Sequence, residues 1–123
     1  VYNVGVDAGM IVIADLDWFK KKPGYKFEDK LSSLHDIEPG DYQVNWKINE
    51  TYNGKVKGSG VLKVTSGKVV VSDPCYLIDH EANHWGDLLD ETNFFQSPPD
   101  GMLVLDSMGG DGCYDVDIKL KKL

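Results

Sequence analysis

Two stretches of the chain alternate apolar and polar residues. Tyr42, Val44, Trp46 and Ile48 fall on one side, with Gln43, Asn45 and Lys47 on the other. Near the end, Tyr114, Val116, Ile118 and Leu120 face one way, with Asp115, Asp117, Lys119 and Lys121 opposite. A period of two predicts strands with one face on a core. Short β-branched runs at Val1–Val6, Met10–Asp15, Val61–Val64 and Lys68–Asp73 predict more strands, joined as hairpins through Asp7-Ala8-Gly9 and Thr65-Ser66-Gly67. In those turns Gly9 and Gly67 supply a positive φ. Asn53-Gly54 suits a type I′ turn, and Gly58 and Gly60 in the returning strand Lys55–Val64 predict a bulge or sharp coil. Met102–Asp106 reads as one further strand. Helical spacing occurs at Ala82–Glu91, through Trp85, Leu88 and Leu89, and less clearly at Phe27–Leu34. Pro98-Pro99-Asp100-Gly101 is a loop.

The strands repeat. Residues 6–19 align without gaps on residues 64–77 at an offset of 58, with Val6/Val64, Gly9/Gly67, Val12/Val70 and Asp15/Asp73 identical. A second match, at an offset of 72, sets Gly40-Asp41-Tyr42-Gln43-Val44 on Gly112-Cys113-Tyr114-Asp115-Val116. Matches in the same order argue for duplication of one β-rich unit. At 123 residues the chain fits a single domain, with halves at about 1–54 and 55–123. The expected fold is β-dominated α+β: duplicated β-hairpin units forming a curved sheet or partly open barrel, with one or two small helices.

Charge narrows the function. The chain is net −7 with 13 basic residues, all Lys. Without Arg or a net basic footprint, nucleic acid is not an expected partner. An acidic surface favours basic proteins or cations. No apolar run approaches the roughly 20 residues of a membrane helix, so no membrane is expected. Two cysteines are too few for a disulfide scaffold and predict a reducing, cytoplasmic setting.

Ser72-Asp73-Pro74-Cys75-Tyr76, a Trp-bearing segment around Trp85, and Gly110-Asp111-Gly112-Cys113-Tyr114 carry a resemblance. The chain resembles small, mostly uncharacterised bacteriophage and bacterial proteins with a DPCY strand end and a GDG-x-Y turn. The likeness covers roughly residues 64–118. It implies an intracellular setting, in a phage-infected cell, and brings no activity with it.

Several residue sets could carry chemistry. His80-Glu81-Ala82-Asn83-His84 fits H-E-x-x-H, in which two His on one helix face bind zinc and the Glu acts as base. Gly86 and the absence of a third ligand at family-like spacing argue against a protease. Cys75, His80, His84 and Cys113 could instead form a Cys₂His₂ structural zinc site, provided the strand end after Asp73 and the turn at Asp111 are neighbours. Cys75 beside either His is also a candidate nucleophile. Asp15 and Asp73 end equivalent strands, and meeting at one rim they could hold calcium. More ordinarily, such carboxylates form turns with their own backbone. Phe94 and Phe95, before Gln96-Ser97-Pro98-Pro99, could be presented to a partner. Together these features predict a non-enzymatic interaction module that binds a host or phage protein and needs no cofactor. The alternative is a metal-binding protein or small metal-dependent hydrolase using zinc or calcium.

Overall fold

The computed structural model describes residues 2–6, 10–20, 34–50, 54–73, 101–106 and 112–123. The alternating segments are the middle strands of a four-stranded antiparallel sheet, because an apolar face on every second residue can be buried only against another layer. That outer sheet contains β1 (Tyr2–Val6), β4 (Gly40–Glu50), β5 (Gly54–Val64) and β8 (Gly112–Lys122), in the order β1-β8-β4-β5. The inner sheet contains β2 (Met10–Asp15), β3 (Leu34–Asp36), β6 (Lys68–Ser72) and β7 (Met102–Asp106), in the order β3-β6-β2-β7. A short helix, α1 (Leu16–Lys20), follows β2 directly. The molecule is thus β-dominated, with two antiparallel sheets that do not close into a barrel.

The sheets share one core. From the outer sheet come Val44, Ile48, Leu62 and Val116, and from the inner sheet Ile11, Ile13, Val69 and Val71, none more than 1% exposed. Each such side chain contributes about 1.5–3 kcal/mol on burial. The inner sheet is buried on its other face too, since Val12, Ala14 and Val70 are fully enclosed. Its strands therefore read as continuous apolar runs, in contrast to the alternating outer strands. On α1, Leu16 and Phe19 lie three residues apart and are also fully buried, and Trp18 meets Phe19 edge-on with ring centroids 4.8 Å apart.

The strand orders are unchanged when β1 is exchanged with β5, β2 with β6, β3 with β7 and β4 with β8. Register follows the same rule. Advancing each β1 residue by 58 and moving each β8 residue back by 72 turns the pair Tyr2↔Val116 into Gly60↔Val44, which is the observed β4–β5 pairing. Two pairs map onto themselves: Ile13↔Val71 at the centre of the inner sheet, and Trp46↔Ile118 at the centre of the outer one. A pseudo-twofold axis relating the halves runs through both.

Three local expectations are corrected. β1 and β2 are not a hydrogen-bonded hairpin, nor are β5 and β6; in each case the chain passes from the outer sheet to the inner one. A turn with a positive-φ glycine serves either purpose, and Gly67 has φ +76° at the described corner. The β4–β5 pair is a true hairpin, but Glu50 pairs with Gly54, so residues 51–53 connect the strands and Gly54 belongs to the ladder. No bulge interrupts β5, whose register is unbroken from Gly54 to Val64. Its glycines serve close approach instead. A Cβ at Gly58 would overlap the Trp46 indole, and one at Gly60 would lie 2.7 Å from Leu103 Cδ2. Helix α1 and the three-residue β3 were not expected, being too short to show a period. The helix expected at Ala82–Glu91 lies outside the described residues, as does all of the one expected at Phe27–Leu34 except Leu34, which begins β3.

Candidate functional site

Asp15 is a structural clamp. Its residue is 4% exposed, and it reaches the β5–β6 corner fifty residues away. Oδ2 accepts from Thr65 N at 2.8 Å and from Thr65 Oγ1 at 2.6 Å. Oδ1 accepts from Ser66 N at 3.2 Å, from the Ser66 hydroxyl, and from Asp17 N at 3.3 Å. Burial pushes the carboxyl up, but the hydrogen bonds from Ser66 and Thr65 outweigh it and hold it below its ordinary value. With five donors around it, this carboxylate has little capacity left for a cation. A turn with its own backbone was the expected role; the bond from Asp17 N fits it, while the other four donors belong to a turn in the other half of the chain.

Asp73 is fully buried. It does not meet Asp15. In the antiparallel β2–β6 register Asp15 lies level with Val69, while Asp73 follows the Val12↔Ser72 pair at the opposite end. Equivalent strand ends are thus kept apart by the twofold relation, and the shared calcium rim does not form. Cys113 is an exposed free thiol at the start of β8. Cys75, His80 and His84 lie outside the described residues, as do Phe94 and Phe95. Among the described residues, no three His, Cys, Asp or Glu side chains gather as a metal group, and no helix is long and apolar enough to cross a membrane.

The feature that sequence reasoning missed is the outward face of the outer sheet. Odd-numbered residues of β4, β5 and β8 point away from the core and pair across the ladders as Lys47↔Lys57, Asn45↔Ser59, Asn45↔Lys119 and Lys47↔Asp117. Lys47, Lys55, Lys57, Lys63, Lys119 and Lys121 all stand exposed on this face. The acids among its described positions are Asp41, Asp115 and Asp117, so a face of formal charge +3 sits on a chain of net −7. Asp115 is engaged by Asn3 Nδ2 at 3.2 Å. The ion pairs of the described residues, Lys68–Asp36 and Lys122–Glu38, use none of the six lysines.

A depression of about 380 Å³ opens on this face. Asn45, Lys47, Lys57, Ser59, Asp117 and Lys119 surround it, and Trp46 and Gly58 lie between them on paired strands. Trp46↔Ile118 is the self-equivalent pair of the outer sheet, so the depression lies over the pseudo-twofold axis. Lys47 and Lys119 are equivalents on either side of it, seventy-two residues apart. The signal was present in the sequence: the phase of alternation in 43–47 and 115–121 already put these lysines on the polar side. What was missing was which strands lie side by side. No family model, no curated protein and no solved structure matches the chain.

Proposed function

We propose that this chain is a small acidic, non-enzymatic interaction module that holds a host or phage protein against the outward face of its outer sheet. One observation carries the reading: cationic side chains are concentrated around a depression on an otherwise acidic molecule. A surface of one sign speeds encounter with an oppositely charged partner and fixes its orientation. The face is rigidly supported, since the strands that carry it bury their other side in the core. The matching strand order of the halves supports an origin by duplication, which would place the binding surface at the junction of the two copies. An exposed free thiol at Cys113 fits a reducing, cytoplasmic setting.

The test is partner capture from lysate by the wild type and by a charge-reversed variant, Lys47→Glu with Lys57→Glu and Lys119→Glu. A stable complex is expected with the wild type and none with the variant, which should remain folded because all three positions are exposed. Capture that survives the reversal would overturn the reading.

A further inference from the structure

We infer that the depression over the twofold axis is a seat for an acidic, carboxylate-rich polypeptide segment of the partner, gripped by Lys47 and Lys119 from either side of the axis and by Lys57 from the edge strand. This rests on the interaction reading above and specifies the chemistry of what is held.

The lysines are arranged at a cost that a bound anion removes. Lys47 and Lys57 are directly opposed in the β4–β5 register, and like charges in that relation repel. Asp117, opposite Lys47 on β8, offsets this for Lys47 and leaves Lys57 and Lys119 without a facing acid among the described residues. Among the described residues, none of Lys47, Lys57 and Lys119 forms an ion pair. Among the described residues that line the depression, Asp117 is the single acid, so three cations face one carboxylate. A volume of about 380 Å³ accommodates a few side chains of an extended segment rather than a folded surface.

The remaining groups favour polypeptide over nucleic acid. Asn45 and Ser59, paired across the ladder at the depression, offer an amide and a hydroxyl that can both donate to and accept from a peptide backbone. Val61, 56% exposed on the same face, gives an apolar contact that a polyphosphate cannot use. Single-stranded nucleic acid is bound largely by stacking on aromatic side chains. None of the described outward positions of β4, β5 and β8 is aromatic, and Trp46 is turned toward the core. The chain has no Arg for bidentate phosphate contacts. Asp41, Asp115 and Asp117 would repel a uniformly charged polyphosphate, whereas a polypeptide can set neutral or basic residues against them.

The experiment is fluorescence anisotropy with a short labelled glutamate-rich peptide, compared with a single-stranded oligonucleotide of equal charge. It is run on the wild type, on Lys47→Ala with Lys119→Ala, and on Lys68→Ala as a control lysine of the inner sheet. We expect the peptide to bind more tightly than the oligonucleotide, to weaken about tenfold in the double variant, and to be unaffected by Lys68→Ala. Circular dichroism melting confirms that each variant is folded. Absence of peptide binding, tighter binding of the oligonucleotide, or an equal loss in Lys68→Ala overturns the inference. The peptide should also displace the captured partner. A complex that is lost on charge reversal yet withstands the peptide overturns this inference and leaves the interaction reading standing, while capture by the reversed variant removes both.

Discussion

The inner sheet has no free face among its central strands: Val12, Ala14 and Val70 on one side are as fully enclosed as Ile11, Ile13 and Val71 on the other. The outer sheet follows the same twofold strand order yet buries one side only, and its other side carries lysines around a shallow depression. One axis passes through both sheets, so the two self-equivalent pairs can be compared directly. At Ile13↔Val71 the axis meets closed apolar packing; at Trp46↔Ile118 it emerges beneath a polar surface. The same topology thus makes a foundation in one layer and an exposed platform in the other. Stability should respond to changes in the first, and binding to changes in the second.

That contrast can be broken most forcefully at the axis itself. Ile13→Ala should cost about 3 kcal/mol in chemical denaturation, because a fully buried side chain leaves a cavity in a layer closed on both sides. The equivalent outer-sheet change, Ile118→Ala, should cost about 1 kcal/mol, since Ile118 is only partly buried. Equal losses would mean that the sheets are not organised differently.

Asp15→Ala comes next, at roughly 2–3 kcal/mol, because it strips a buried carboxylate from the Thr65 and Ser66 donors. The pH dependence has a defined sign. The folded Asp15 carboxyl titrates below its ordinary value of 3.8, so its contribution is complete above that value and is lost as pH falls through the lowered one. Acid titration of stability should show this limb in the wild type, and Asp15→Asn should flatten it. An unchanged acid limb in the variant would show that the clamp does not couple the sheets' corner to pH.

Gly67→Val should be milder, roughly 1–2 kcal/mol, reflecting a β-branched residue forced to φ +76°. The smallest effect belongs to the platform. Lys47→Ala with Lys119→Ala should change unfolding free energy by less than about 0.5 kcal/mol, and a larger loss would mean that these lysines serve the fold rather than a partner.

How much of this was legible beforehand depended on the range of the interaction. Strands β1, β2 and β4 to β8 were visible because β-branched runs, alternation and turn residues are local signals. The repeat offsets of 58 and 72 were visible because identities such as Asp15/Asp73 and Gly40/Gly112 survive in both halves. The same identities misled where distance mattered. Equivalence suggested that Asp15 and Asp73 share a rim, yet antiparallel pairing about a twofold axis sends equivalent ends to opposite sides. Asp15 was expected to bind its own turn, and Asp17 N does donate to it, but its other four donors lie fifty residues on, which no local pattern encodes. Gly58 suggested a bulge because a missing side chain does not announce the indole ring lying across it. The lysine platform went unseen for a related reason: Lys47, Lys57 and Lys119 become neighbours only once β4 lies between β5 and β8.

The most direct test of the platform is the reactivity of the lysines themselves. Amine acetylation of the captured complex, quantified by mass spectrometry against the free chain, reports each exposed lysine separately. Lys47, Lys57 and Lys119 should be protected by the partner, while Lys20 and Lys68, outside the outer sheet, should react as they do in the free chain. Protection of Lys20 or Lys68 with Lys47, Lys57 and Lys119 left fully reactive would place the partner elsewhere and contradict the account.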